Sequence, residues 1–202
     1  RLMSNKNTWC VVSVPTKAWA CKVFPECSEE AAMERLWAEI LSAVRVSATE
    51  DAVSAWHTHI DHLQKRTAFL NAQAFTELHY RDSLGIDLRI ELPKGHIWMG
   101  GAEKSADGIL FAANLPTEEV YTLPKRNGVN GTVVASKPLH YNGNLIRGFT
   151  LTFEAGKVVT YKAEQGEEHL KELLSTDEGA SFLGEVALVP HDSPISRSGI
   201  LF

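Results

Sequence analysis

The stretch ELHYRDSLGIDLRIEL, residues 77–92, decides the fold. Within it Ile86, Leu88, Ile90 and Leu92 alternate with Asp87, Arg89 and Glu91, and a side-chain period of two is what a half-buried strand requires. With ELHYR ahead of it, the segment reads as an antiparallel ribbon. Upstream the period is helical. Ala32, Leu36, Trp37, Ile40, Leu41 and Val44 recur three and four apart behind Ser28, an N-cap with Glu29 and Glu30 in the first turn. A second stripe runs Val53, Trp56, Ile60, Leu63, Thr67, Leu70 and Ala74. It spans roughly 27 residues from a capping-box start at Ser47 and Glu50. Earlier still, Trp9 to Val14 reads as a short strand and Trp19 to Phe24 as an edge strand leading into a helix.

Downstream the chain reads as strands. GILFAANLP, GTVVASKPL, LIRGFTLTF and KVVTYKAEQ are apolar and β-branched, and the YNGN and FEAG turns carry hairpin chemistry. Glu167 to Leu174 is a short helix, and GEVALVP is the last strand before a loop rich in Ser and Pro. Helices first and a mostly antiparallel sheet afterwards make the class α+β. The expected division is a helical and linking region over residues 1–75 and a sheet region over 76–202.

Composition narrows the function. With 20 Lys plus Arg against 25 Asp plus Glu, the net charge is -5, and no dense basic run exists to neutralise a phosphate backbone, which argues against nucleic acid. No apolar run approaches the ~20 residues of a membrane span. Cys10, Cys21 and Cys27 form no CxxC pair and are expected as reduced, buried thiols of a cytoplasmic protein. The chain opens on Arg1 without a methionine and closes on the apolar GILF, so a central piece of a longer polypeptide is expected.

The first chemical candidate is AWHTHIDHLQKR, with His57, His59, Asp61 and His62. An HxH ligand pair belongs on a strand. In a helix, positions 57 and 59 point about 200° apart, and only His59 with His62, or His62 with Arg66, share a face. A solvated face with satisfied histidines is the better reading. His79 is expected to be hydrogen-bonded, whereas His96, beside glycines and Trp98, is as compatible with a place near substrate as with a structural role. His140, His169 and His191 carry little signal, and Tyr80 and Trp98 read as core aromatics.

The second candidate is acidic. NLPTEEVYTLP, residues 114–124, sets Glu118 and Glu119 between two prolines ahead of a strand-like VYTL. Adjacent residues on an extended backbone face opposite ways, so one acid enters a cleft while the other meets solvent or a cation. Glu185 heads GEVALVP, whose other residues want burial, and a carboxylate buried there costs several kcal/mol unless paired or metal-bound. On spacing alone, a solvated loop or an ion pair competes with a divalent-metal anchor.

PTEEV at 116–120, KRNGVNGTVVASKPL, LIRGFTLTF, the EGA of DEGASFLGEVALVP and SPISRSGILF together resemble the M29 family of metal-dependent aminopeptidases, of the aminopeptidase T and aminopeptidase S type. The likeness extends back through AWHTHIDHLQKRTAFLNAQAF, LHYRDSLGIDLRIELP and GHIWMGG, covering essentially the whole chain. The resemblance implies a cytoplasmic, homodimeric exopeptidase that removes N-terminal residues from peptides. It implies two divalent metal ions (Zn, Co, Mn or Mg) and water activated by them. By motif, Glu119 and Glu185 correspond to metal ligands, leaving Glu118 to orient, cap or meet solvent. The family's other ligands, two histidines and an aspartate, together with a nearby tyrosine, are expected beyond Phe202, and a further α/β region ahead of Arg1. The chain by itself is therefore expected to be inactive. The competing reading is a non-catalytic scaffold or partner-binding domain built on the same fold.

Overall fold

The computed structural model describes residues 5–201. In chain order the elements begin with β1 (Val11–Val12), α1 (Lys17–Val23), α2 (Glu29–Ala43) and α3 (Ala52–Gln73). Then come β2 (Glu77–Arg81), β3 (Asp87–Glu91), β4 (Glu103–Lys104), β5 (Leu110–Phe111), β6 (Asn114–Leu115) and β7 (Val120–Thr122). The remainder is β8 (Val129–Val134), β9 (Leu139–Tyr141), β10 (Asn144–Ile146), β11 (Thr150–Glu154), β12 (Lys157–Lys162), α4 (Glu167–Leu174), β13 (Val186–Leu188) and α5 (Pro194–Ser198). The class is α+β, as the change of period indicates.

Contacts divide the chain into two interleaved units. The first gathers the described residues up to Phe69, then Trp98–Val120, then those from Ala187 onward; the second gathers Leu70–Ile97 and Tyr121–Val186.

In the first unit, α2 begins where Ser28 caps it, its hydroxyl accepting from the Ala31 amide at 3.3 Å. Leu36 and Ile40 on its buried stripe meet Ala20 and Phe24 of the α1 segment, and Cys27, Met33 and Ile200 pack around them. The segment read as an edge strand is thus a helix. Thr16 caps it by accepting from the Trp19 amide at 3.2 Å, and Ala20 and Phe24, four apart, face α2. Helix α3 is confirmed but shorter at its start. Its N-cap is Asp51, which accepts from the Ser54 amide at 2.9 Å, while Ser47 closes a separate turn by accepting from the Glu50 amide. In place of the expected strand at Trp9 to Val14, only the exposed Val11–Val12 pairs, in parallel with β6. The Ser- and Pro-rich tail holds a helix, α5, with Ser193 as N-cap and Gly199 in the left-handed region at its end. The thiols also depart from expectation: Cys10 is exposed, and Cys21 and Cys27 are half-buried.

The second unit is built on a five-stranded antiparallel sheet in the order β12-β11-β8-β3-β2. Register follows the alternation read from the sequence. Leu78 faces Ile90 and Tyr80 faces Leu88, with Leu88 and Ile90 buried. On the other face His79 and Arg89 stand opposite each other, and Arg89 binds Glu77 at 2.6 Å. A side chain at Gly131 would meet the Asp87 carbonyl oxygen at 2.1 Å, so the close passage of β8 beside β3 requires glycine there. Among the described residues, no helix is long and apolar enough to cross a membrane.

Candidate metal centre

The acidic pair separates by burial. Glu118 is 7% exposed and Glu119 is half-buried. The alternation runs on through the following strand, with Val120 and Thr122 buried and Tyr121 between them half-buried, so Glu118 belongs to the inner face and Glu119 to the other. Glu118 does not meet solvent. Arg45 forks onto both of its oxygens, at 2.6 and 3.0 Å, and forms a planar bidentate pair. Removing either member of such a buried pair strands the other charge.

Arg45 itself sits just past α2. The Arg45 amide donates to the Ser42 carbonyl at 3.1 Å and the Val46 amide to the Leu41 carbonyl at 2.8 Å, which is the Schellman way of ending a helix. That motif puts its central residue in the left-handed region, and Arg45 has φ +57°, where glycine is the usual occupant. Trp56 lies beneath the guanidinium, 5.7 Å from ring centre, and donates its indole N–H to the Val44 carbonyl at 2.6 Å.

His59 comes from the middle of α3. Its Nε2 lies 2.6 Å from the Thr117 carbonyl oxygen; a carbonyl only accepts, so Nε2 carries the hydrogen. Burial pushes the His59 pKa down from its ordinary 6.5, with nearby Arg45 and Arg66 acting in the same direction and the Thr117 bond and Glu118 opposing. Arg45, His59 and Glu118 form part of the wall of a cleft of about 440 Å³ that His62, Arg66 and Arg197 also line. The shared face of His59, His62 and Arg66 is the one the helical spacing indicates. The HxH metal reading fails, because residues 57–62 are helical and His59 is committed to the Thr117 backbone.

The other candidates fall in different places. His79 binds Asp87 at 2.6 Å on the sheet and holds that carboxyl below its usual range, as expected of a hydrogen-bonded histidine. The Nδ1 of His96 stands 3.1 Å from the Pro93 carbonyl within its own turn. Trp98 is 1% exposed, a core residue, while Tyr80 is half-buried and burial pushes its hydroxyl pKa up. His140 and His191 are exposed, and His169 is half-buried in α4. Glu185, expected to be costly at the head of a buried strand, is exposed ahead of Val186 and bears no such desolvation.

Glu119 and Glu185 are hard oxygen donors, so they fit a divalent ion in kind. Glu119 lies in the first unit and Glu185 in the second, and among the described residues no three His, Cys, Asp or Glu side chains gather as a metal-holding group.

The class of protein follows from the whole chain: it matches the Peptidase M29 family, thermophilic metalloprotease (M29), over residues 1–202, and belongs to that family. It is 51% identical over 201 residues to aminopeptidase AmpS of Bacillus subtilis (strain 168), all of this chain and 48% of that protein. Aminopeptidase T of Thermus aquaticus is 48% identical over 196 residues, 97% of this chain and 48% of the relative. The solved structure of wild-type AmpT from Thermus thermophilus superimposes with a TM-score of 0.88 at 45% identity, covering 96% of this chain and 47% of that one. The chain thus spans about half the length of the curated relatives it matches.

Proposed function

We propose that this chain is part of a metal-dependent aminopeptidase that releases N-terminal residues from peptides, with Glu119 and Glu185 as metal ligands. The observation that carries the reading is the division of the acidic pair: Glu118 is consumed by Arg45, and Glu119 stands half-buried on the opposite face. The family membership and the aminopeptidase names of the relatives support the reaction class. When bound, two divalent ions would polarise the scissile carbonyl and lower the pKa of the attacking water. The protein's own contribution at this point is to hold Glu119 still on a backbone fixed from behind. We place the complete enzyme in the cytoplasm as a homodimer, and the 202-residue chain alone as inactive.

The test uses the full-length protein with Zn²⁺, Co²⁺ or Mn²⁺ and leucyl-p-nitroanilide. Hydrolysis is expected, with at least a hundredfold loss in Glu119→Ala and Glu185→Ala accompanied by loss of bound metal. Turnover and metal content unchanged in either variant would sink its assignment as a ligand.

A further inference from the structure

We propose that the cleft of the first unit binds an oxyanion, a carboxylate or phosphate group on a small molecule, with Arg66 and Arg197 as the groups that hold it. Among the described residues, Arg35, Arg45, Arg81 and Arg89 each have a carboxylate partner, and Arg126 lies over the Phe182 ring. Arg66, Arg147 and Arg197 have neither. Two of those three line one cleft, Arg66 from the later half of α3 and Arg197 from α5, and every residue of its wall belongs to the first unit. A guanidinium presents its N–H groups in a planar fork that matches the oxygens of a carboxylate or a phosphate.

The charge balance of the wall points the same way. Glu118 is closed off by the Arg45 fork, which leaves Asp192 as the acid facing Arg66 and Arg197, and among the described residues it bridges neither. In a chain of net charge -5, the cleft therefore carries a local positive excess. That field reaches His59: burial comes first in holding its pKa below 6.5, and Arg45 and Arg66 add to it.

The wall also supplies neutral donors. Ser193 is 4% exposed and its hydroxyl oxygen accepts from the Ser196 amide at 3.2 Å, which leaves the hydroxyl hydrogen for a ligand oxygen. His62 adds a ring nitrogen on the face of α3 that bears Arg66. A volume of about 440 Å³ suits a small molecule. Neither Glu119 nor Glu185 lines the cleft, so the anion site stands whether or not those two hold a metal.

Calorimetric titration of the full-length, metal-loaded protein separates the sources of the anion with three probes. They are inorganic phosphate, N-acetyl-glycylglycine, whose amine is blocked against an aminopeptidase while its carboxylate is kept, and the C-terminal amide of that peptide. Phosphate, the acetylated peptide or both are expected to bind, and the amide is not. Phosphate alone identifies a phosphate ligand, and the peptide alone a peptide carboxylate. Arg66→Met/Arg197→Met should weaken the bound anion at least tenfold at an unchanged thermal midpoint, because both side chains are exposed. Each single variant should weaken it at least threefold, and Arg147→Met should leave it within twofold of the parent. Binding of neither anion, equal binding of the amide, or affinities within twofold of the parent in the Arg66 and Arg197 variants overturns the site. Glu119→Gln should keep the affinity; loss of phosphate there, with the arginine variants unaffected, puts the anion on a metal and overturns the site as well.

Discussion

A single carbonyl oxygen sets the tolerance at Gly100. Any Cβ there would sit 2.5 Å from the Glu119 carbonyl, and the contact is to backbone, which cannot rotate away. Gly100→Ala should therefore destabilise the protein by about 1–3 kcal/mol, the usual range for forcing an extra carbon into a filled space, as read by denaturant unfolding. A loss below about 0.5 kcal/mol would mean that the segment yields easily to the added carbon. The sequence announces that Glu118 and Glu119 diverge, because alternation is a local property of extended chain. It does not announce which acid is inner. That depends on which face of the extended segment meets the core, and the partner found there, Arg45, is distant in sequence, where no spacing rule links a helix end to a later loop. The left-handed geometry of Arg45 is equally hidden, since SAVRVSATE contains no glycine to mark where the helix stops.

Elements were legible to the extent that their signals are local and uninterrupted. Helix α2 and the ribbon of β2 and β3 carry long runs of one period, and each lies where that period puts it. The α1 segment, at seven residues, is too short to express a helical stripe. The four-residue spacing of Ala20 and Phe24 behind Thr16 was the usable sign. Where α3 begins is a contest between two caps, and the structure gives it to Asp51. Asp51→Ala should lower the thermal midpoint by about 2–4 °C, as expected for losing a cap in a domain of this size, whereas Ser47→Ala should leave it nearly unchanged. Differential scanning calorimetry of the two variants decides; equal effects would return the helix start to Ser47. The exposure of the thiols is hidden in the sequence for a related reason: a cysteine's burial is decided by the neighbours its segment meets, and Cys10 lies beside an exposed two-residue strand.

At the scale of the whole molecule, His59 makes stability depend on pH. Its folded pKa is depressed, so between that value and the ordinary 6.5 the unfolded chain binds a proton that the folded chain refuses. This contribution is complete above about 6.5 and is lost as pH falls through that window. The groups acting on His59 are Arg45, Arg66, Glu118 and the Thr117 carbonyl. In metal-free protein, the fall in unfolding midpoint from pH 7.5 to pH 5.5, read by circular dichroism at matched ionic strength, should be smaller in His59→Gln than in the parent. Equal slopes in the two proteins would remove His59 from the acid response.

The interleaving of the two units also governs when the protein can fold as it is made. The α1 and α2 core is finished only by Ile200, from a segment on the far side of the entire sheet unit. Roughly 140 residues separate the end of α2 from that segment, so at about 5–20 residues per second a ribosome takes about 7–28 s to deliver it. Throughout that interval the apolar stripe of α2 lacks its last partner on the nascent chain.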